Sequence, residues 1–388
     1  MSLRWPAGPV VLFLAFQPFA LAQSAGQVAA PQAPFAHFQS LFQNLAQPAV
    51  PSDPLELAAV SAQPIGDAAQ RAAIISLLAN AKSLSNVRAQ PYDLKTTFNV
   101  TGSSGSDGTW QLENISPGRG LYRWTAQGPG YSVVNLYRNG MLSSNQPDAN
   151  VPLRLAQVRA AIFYVDSVFG PHASIRTTTA NLNGLDLTCA LTERITAPKS
   201  STGGRLWNEA EFCVDPKSGL LITYSPVPGV YIQYDYSNAI HFHDKTIPGK
   251  FIIAEAGHTV VEAINESVTD PTNLPQSLFD ASTLTAVGAG PLEAPPFTMH
   301  SREFLVDPST TPPSVAMQVV IVHAVLTPDG HIAEPEALAA SDSSLTQRAL
   351  DRVKNWENRR MAFNDAQPGA SPQSHEVYFT FEYVVPGS

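Results

Sequence analysis

The sequence predicts an α+β chain: a large, strongly curved antiparallel β-sheet with helices, then a small α/β domain of β-hairpin, helix and strand. Three observations lead there. After Tyr92 the hydrophobic spacing changes from the helical to the strand period, and about eleven short strand candidates follow with Gly, Asn, Ser and Pro between them. Helical patterns gather at only two points in this stretch. The last ninety or so residues carry a separate pattern of strand, tight turn, returning strand, helix and closing strand.

Residues 1–22 read as a secretory signal, with Arg4 as the charged start, Val10 to Phe16 as the apolar stretch and Ala20-Leu21-Ala22 as the cleavage site before Gln23. The apolar run is far short of the roughly 20 residues that span a bilayer, and prolines bracket it. The expectation is therefore a periplasmic protein exported by a cleaved signal; an uncleaved anchor is the alternative. Residues 23–66, rich in Ala, Gln and Pro, read as a linker with helical stretches, notably Phe35 to Leu45.

The β domain is expected over 67–284. Asp67 to Ala89 carries Ala72, Ile75, Leu77, Leu78 and Ala81 at helical spacing. Strand candidates run from Leu94 to Val100, Gly108 to Ile115, Gly120 to Thr125, Tyr131 to Arg138 and Gly140 to Ser143. Leu153 to Val168 returns to helix. Strands resume at Leu185 to Thr192, Leu206 to Val214, Leu220 to Ser225, Val230 to Tyr236, Lys250 to Ala256 and His258 to Val268. Residues 285–313 hold Gly288, Gly290, Pro291, Pro295, Pro296, Pro312 and Pro313, and read as a proline-stiffened linker.

The final domain, 314–388, begins with a strand over Val315 to Val325. Thr327-Pro328-Asp329-Gly330 supplies the turn, because proline presets φ and Asp-Gly closes a hairpin. Leu345, Ala349, Leu350, Val353 and Trp356 share one face of a helix from about Ser344 to Trp356. In Glu376 to Val385, Val377, Phe379, Phe381 and Tyr383 alternate as in a strand.

Of 388 residues, 32 are acidic and 23 basic, giving a net charge of −9. With no basic run, nothing here attracts nucleic acid. Cys189 and Cys213 lie in alternating segments downstream of an export signal, where such a pair most often forms a structural bridge. His241-Phe242-His243-Asp244 is the one cluster with metal-ligand character, since alternate strand residues face one side; His258 is the only other candidate, and a third ligand at suitable spacing is missing. The bland alternative is a pair of partly exposed histidines near a hairpin. No G-x-S-x-G, H-E-x-x-H or Gly-rich phosphate loop occurs, so no catalytic, cofactor-binding or metal residue is assigned and no enzyme is expected.

The segments "VVIVHAVLTPDGHI", "LTQRALDRVKNW" and "VYFTFEYVV" resemble the C-terminal domain of TonB-type energy transducers, across about a quarter of the chain. That family usually follows the helix tryptophan with a proline-containing stretch; here Glu357 to Met361 departs from it. The order helix, meander, helical break, meander resembles the half-barrel of the LolA and LppX lipoprotein-carrier group. "YDLKTTFNV", "DGTWQLENISPGRGLYRW" and the cysteine-bearing "LDLTCALTE" and "EAEFCVDPKSGLLITYS" carry that second resemblance.

Together these resemblances imply a periplasmic, non-enzymatic module that holds a protein partner, such as an envelope or outer-membrane protein, by its C-terminal domain. A TonB-type domain can add a partner's strand, and Val377, Phe379, Phe381 and Tyr383 mark the candidate edge strand. The alternative is a carrier of a lipid, lipoprotein or other apolar ligand, whose cavity aromatics would include Trp110, Trp124 and Tyr234; the same residues also suit plain core. A true energy transducer is the second alternative, if the N-terminal segment stays as an anchor.

Overall fold

The computed structural model describes residues 45, 47–48, 50, 55, 57, 60–61, 63–102, 106–147, 151–163, 173–193, 204–289, 296–306, 314–327, 330–356 and 375–387. The expectations for the signal segment, most of the 23–66 linker, Pro328-Asp329 and Glu357 to Met361 lie outside the described residues. Among the described residues no helix is long and apolar enough to cross a membrane.

Helix α1 (Ala68–Ser85) starts at Asp67, whose carboxylate accepts the Gln70 N–H at 2.7 Å and so satisfies an orphan donor of the first turn. Five strands follow: β1 (Tyr92–Val100), β2 (Gly108–Gly118), β3 (Leu121–Gly128), β4 (Tyr131–Arg138) and β5 (Met141–Ser144). Helix α2 (Leu153–Phe163) interrupts them. Then come β6 (Ser174–Leu182), β7 (Leu185–Glu193), β8 (Ala210–Val214), β9 (Leu221–Ser225), β10 (Val230–Asp235), the small hairpin β11 (Ile240–Phe242) and β12 (Lys245–Ile247), β13 (Lys250–Glu255), β14 (His258–Thr269) and β15 (Thr285–Ala289).

All but β11 and β12 join one antiparallel sheet of 13 strands, ordered β15-β5-β4-β3-β2-β1-β14-β13-β10-β9-β8-β7-β6. Alternation along each strand sorts its side chains onto two faces. On β1, Tyr92, Leu94, Thr96, Phe98 and Val100 are buried while Lys95 and Asn99 are exposed. The inner face packs against Leu155, Val158, Ala161 and Phe163 of α2 and against Leu78 and Ala81 of α1. The opposite face holds smaller clusters. One contains Cys189 and Cys213, directly paired across β7 and β8 and joined as a disulfide with a Cα separation of 4.1 Å. Closing that 24-residue separation stabilises the fold by about 3 kcal/mol on the chain-entropy view.

The C-terminal domain has its own four-stranded sheet, from β16 (Phe297–Phe304), β17 (Val315–Leu326), β18 (Ile332–Ala340) and, after helix α3 (Thr346–Lys354), β19 (His375–Pro386), in the order β16-β19-β17-β18. Ala349 and Val353 of α3 are buried on Val320, Val322, Phe379 and Phe381. Trp356 meets Phe379 edge-on at 5.4 Å.

Two expectations need correction. The stretch 285–313 holds two strands: β15 pairs with β5, and β16 runs parallel to β19. The segment of β16 contains no proline and Gly288 sits at a bulge in β15 with φ 136°, while Gly290, Pro291, Pro295, Pro312 and Pro313 lie outside the described residues. The second correction follows. β19, with Val377, Phe379, Phe381 and Tyr383, is not an edge strand, because β16 occupies one side and β17 the other, and all four side chains are buried. β6 was also absent from the sequence reading; its Thr-rich segment shows weak hydrophobic alternation.

The two domains share a continuous apolar contact. Trp207, Val227 and Val230 pack on Met317, Val319, Ile321, Leu338 and Tyr378. Gly229, at φ 90°, permits the approach: a Cβ there would lie 2.6 Å from the Leu338 carbonyl oxygen.

Candidate functional site

The inner face of the large sheet is buried beneath the helices, and aromatic residues are prominent on it. Phe98 stacks on Trp110 at 5.8 Å, and Trp110 meets Tyr131 at 5.8 Å. Beneath α1 and α2 lies a cavity of about 20 Å³, lined among others by Leu94, Ala161, Tyr234, Tyr236, Phe251 and Asn265. It has room for little more than a water. Of the aromatics proposed to line a cavity, Tyr234 does so and donates its hydroxyl to the Ala161 carbonyl at 2.9 Å. Trp110 is core, with its Nε1–H given to Ser106 O at 2.8 Å. Trp124 has another role.

Arg159 of α2 lies 3.8 Å from the Trp124 ring centroid and 5.9 Å from that of Tyr122. Its Nη1 donates to Asn114 Oδ1 at 3.1 Å, and the Tyr122 hydroxyl donates to the same oxygen at 2.7 Å. Arg88, in the 3-10 turn Val87–Ala89, sits 4.1 Å over Phe163 and 5.8 Å over Tyr122. Two guanidiniums therefore share the Tyr122 ring. Burial pushes the Arg159 pKa down; Tyr122 opposes this, while the neighbouring Arg88 charge adds to it. Burial and Tyr122 raise Tyr92 well above the usual tyrosine range, against the pull of Arg88 and Arg159. Asn114 is fully buried, and with Oδ1 occupied by two donors its Nδ2 has no acceptor among the described residues.

A second buried charge cluster lies where the domains meet. Glu255, at the end of β13, accepts Arg154 Nη1 at 2.5 Å and Gln157 Nε2 at 2.6 Å, both from α2. Gln157 Nε2 also reaches Glu376 Oε1 of β19 at 3.0 Å. His323 of β17 stands between the carboxylates, with Nδ1 at 3.4 Å from Glu255 and Nε2 at 2.9 Å from Glu376. Burial works against charge on His323, but the two glutamates outweigh it and hold its pKa at about 10. Burial likewise works against Glu255, yet His323 and Arg154 bring it to about 2.

Glu255, His323 and Glu376 have the donor types of a divalent-cation site, with ligand-type atoms within 4.8 Å of one another. The Gln157 amide nitrogen and the Arg154 guanidinium already take the carboxylate oxygens, which makes this an ion network joining domains. The other cluster of this kind, Cys189, Glu211 and Cys213, has its two sulfurs bonded to each other.

His241 lies in β11 and His243 in the following turn, where His243 Nε2 meets Asp270 Oδ1 at 2.8 Å with both groups about half exposed. Neither they nor His258 belongs to a candidate metal cluster among the described residues. Sequence reasoning missed Arg88, Asn114 and Arg159. Their signal is weak, since arginines in "LRLAQVRAAIF" read as a solvated helix face until the sheet is wrapped around that helix.

No family profile matches the chain, and no curated protein does. Similar solved structures include a LolA superfamily protein from Nitrosomonas europaea, with 12% identity, TM-score 0.37, and coverage of 53% of this chain and 96% of that one. Another is a putative outer membrane lipoprotein-sorting protein domain from Vibrio parahaemolyticus, with 9% identity, TM-score 0.34, and coverage of 52% and 94%. A third is LprF from Mycobacterium bovis, with 10% identity, TM-score 0.23, and coverage of 55% and 98%.

Proposed function

We propose that this protein is an exported, non-enzymatic carrier of an apolar ligand, held between the inner face of the large sheet and its helical cover. One observation carries this: the apolar, aromatic inner face is closed by α1, a helix of 18 residues of which only Leu78 and Ala81 are fully buried, while Ile74, Ile75 and Leu77 pack on the core half-buried. A cover held by side-chain contacts alone is displaced at lower cost than a strand, whose ladder bonds must break. The resting cavity of about 20 Å³ must grow to the 300 Å³ or more of a typical ligand site, and outward movement of α1 provides that room. Titration of the purified protein with 1-N-phenylnaphthylamine, a probe that brightens in apolar surroundings, tests the reading. Saturable brightening, competed by a long-chain lipid, is expected. Absence of any saturable signal overturns it.

The C-terminal domain supports a second role. β16 ends its sheet with one side unpaired among the described residues, and Phe304 on it is 51% exposed. A protein partner would add there and not at β19. Loss of partner capture on Phe304→Asp, with the fold retained, is the expected result.

A further inference from the structure

We infer that the C-terminal domain is a clasp on helix α2, and that this clasp sets how fast the large sheet takes up and releases its ligand. The inference deepens the carrier reading and rests on it. The two helices of the cover are held differently. α1 lies on the sheet through an apolar stripe of Ile74, Ile75, Leu77, Leu78 and Ala81. α2 is gripped on two sides: Leu155, Val158, Ala161 and Phe163 pack on the sheet, while Arg154 and Gln157, both buried, reach the domain junction. With 11 residues it is shorter than the roughly 12–15 at which an isolated helix becomes stable, so packing decides whether it stays folded and in place.

Gln157 is the centre of the grip. Its Oε1 accepts Arg154 Nη1 at 3.0 Å, and its Nε2 donates to Glu255 of the large sheet at 2.6 Å and to Glu376 of the C-terminal sheet at 3.0 Å. One amide thus bridges both domains. Arg154 repeats the pattern with Glu255 at 2.5 Å and with Glu336 of β18 at 3.5 Å. Glu336 stands opposite His323 in the β17–β18 register, so all three strands β17, β18 and β19 present a group to α2 or to its partner Glu255. The acceptor on the C-terminal side is fixed in advance: Glu376 Oε1 also accepts the Tyr378 hydroxyl at 2.6 Å and lies 2.9 Å from His323 Nε2.

The grip bears on the ligand space because α2 is one of its walls. Ala161 and Ile162, about one turn beyond Gln157, line the cavity beneath the helices. While α2 is clasped only α1 yields, and exchange is slow; once the clasp opens, both walls yield. The apolar contact of Trp207, Val227 and Val230 with the C-terminal sheet is separate from these bonds, so the clasp can open without the domains parting. A partner strand on β16 would lie beside β19, the strand that carries Glu376, and so act on the clasp.

The test uses the full chain, with hydrogen exchange read peptide by peptide on the ligand-free protein and release of bound 1-N-phenylnaphthylamine read by stopped flow after adding excess long-chain lipid. Gln157→Leu removes the bridging amide, yet leaves Glu255 with Arg154 and His323, and Glu376 with Tyr378 and His323. In the variant the amides of α2 should exchange about tenfold faster, those of β13 and β17 at unchanged rates, and the probe should leave about fivefold faster. Glu336→Ala, at a half-exposed side chain, should show the same pattern at about twofold, and it carries the test if Gln157→Leu fails to fold.

Unchanged exchange in α2 overturns the clasp. Acceleration in β13 and β17 as large as in α2 is a general loss of stability and overturns it too. Faster exchange in α2 with unchanged probe release overturns the control of the ligand and leaves the carrier standing. An unaltered chain that binds no probe overturns the carrier reading and the control of the ligand with it, whatever α2 does.

Discussion

Helix α2 carries two arginines five positions apart that end in opposite situations. Arg154 reaches the domain junction, where Glu255, Gln157 and Glu336 meet it and His323 and Glu376 complete the network. Arg159 points into the sheet and meets Trp124, Tyr122 and Asn114. The first cluster brings acids and bases together and is matched within the chain. The second concentrates donors and leaves Asn114 Nδ2 unmet. A network whose buried groups are met serves to fix one arrangement of elements, whereas a buried donor such as Asn114 Nδ2, with no acceptor among the described residues, costs stability.

The largest expected effect separates the two arginines directly. Arg154→Met strands the Glu255 carboxylate, which is 0% exposed in its side chain, and should cost about 3–5 kcal/mol in urea denaturation at pH 7. Arg159→Met removes a cation whose contacts include the rings of Trp124 and Tyr122 and the Asn114 amide oxygen, and should cost less, about 1–2 kcal/mol. Equal costs would break the contrast.

The next effect, about 2–4 kcal/mol, is a control that should leave the contrast untouched. Replacing Cys189 and Cys213 together by serine destabilises the sheet on its other face, far from both clusters in its contacts. The loss should be the same at every pH where the junction is intact. A change in the shape of the pH profile would mean that the faces are coupled.

The junction should also give stability a defined pH window. His323 is raised from 6.5 to about 10 in the folded state, so its contribution is full below about 6.5 and is lost as pH climbs towards 10. Glu255 is depressed from 4.5 to about 2, so its contribution is full above about 4.5 and is lost as pH falls towards 2. The two contributions coincide between about 4.5 and 6.5. His323→Gln should flatten the alkaline limb of a melting-temperature profile, and an unchanged alkaline limb would show that the imidazole is not the titrating group.

These clusters were differently legible in the sequence. The hairpin, helix and closing strand of the C-terminal domain were readable because Val320, Val322, Phe379 and Phe381 alternate and Ala349 and Val353 share a helix face. The cysteine bridge was readable from two cysteines in alternating segments of a chain that opens on an export-type signal sequence. β16 was not, because local breakers were weighed while its stabilisation comes from β19, more than seventy residues away. The site residues fail for the same reason. Nothing near Asn114 or Arg159 in sequence signals that β2 and α2 will face each other, a separation of 45 residues. His323 stands as one polar residue in a valine-rich run, although a buried histidine in such a strand requires partners, here Glu376 of its own sheet and Glu255 of the other.

The smallest expected effect is the sharpest on the meaning of the contrast. Asn114→Asp adds a carboxylate beside Arg159 with almost no change in volume, giving this cluster the kind of ion pair that Arg154 and Glu255 form at the junction. The hydrogen bond from Arg159, already charged on the donor side, becomes a full ion pair, which adds about 1 kcal/mol, and the unmet Nδ2 donor disappears. Burying the new charge works against both gains, so a net stabilisation of about 1 kcal/mol at pH 7 is expected. An Asp held by a guanidinium has a folded pKa below its unfolded value near 3.9, so the gain should be present above about pH 4 and vanish as the pH falls through the folded pKa. Urea midpoints at pH 7 and pH 3 measure it. A variant more stable at pH 7, and less so at pH 3, shows that the interior of the sheet favours a negative charge beside Arg159. One destabilised at pH 7 shows that Arg159 is already balanced, and the two ends of α2 are then alike.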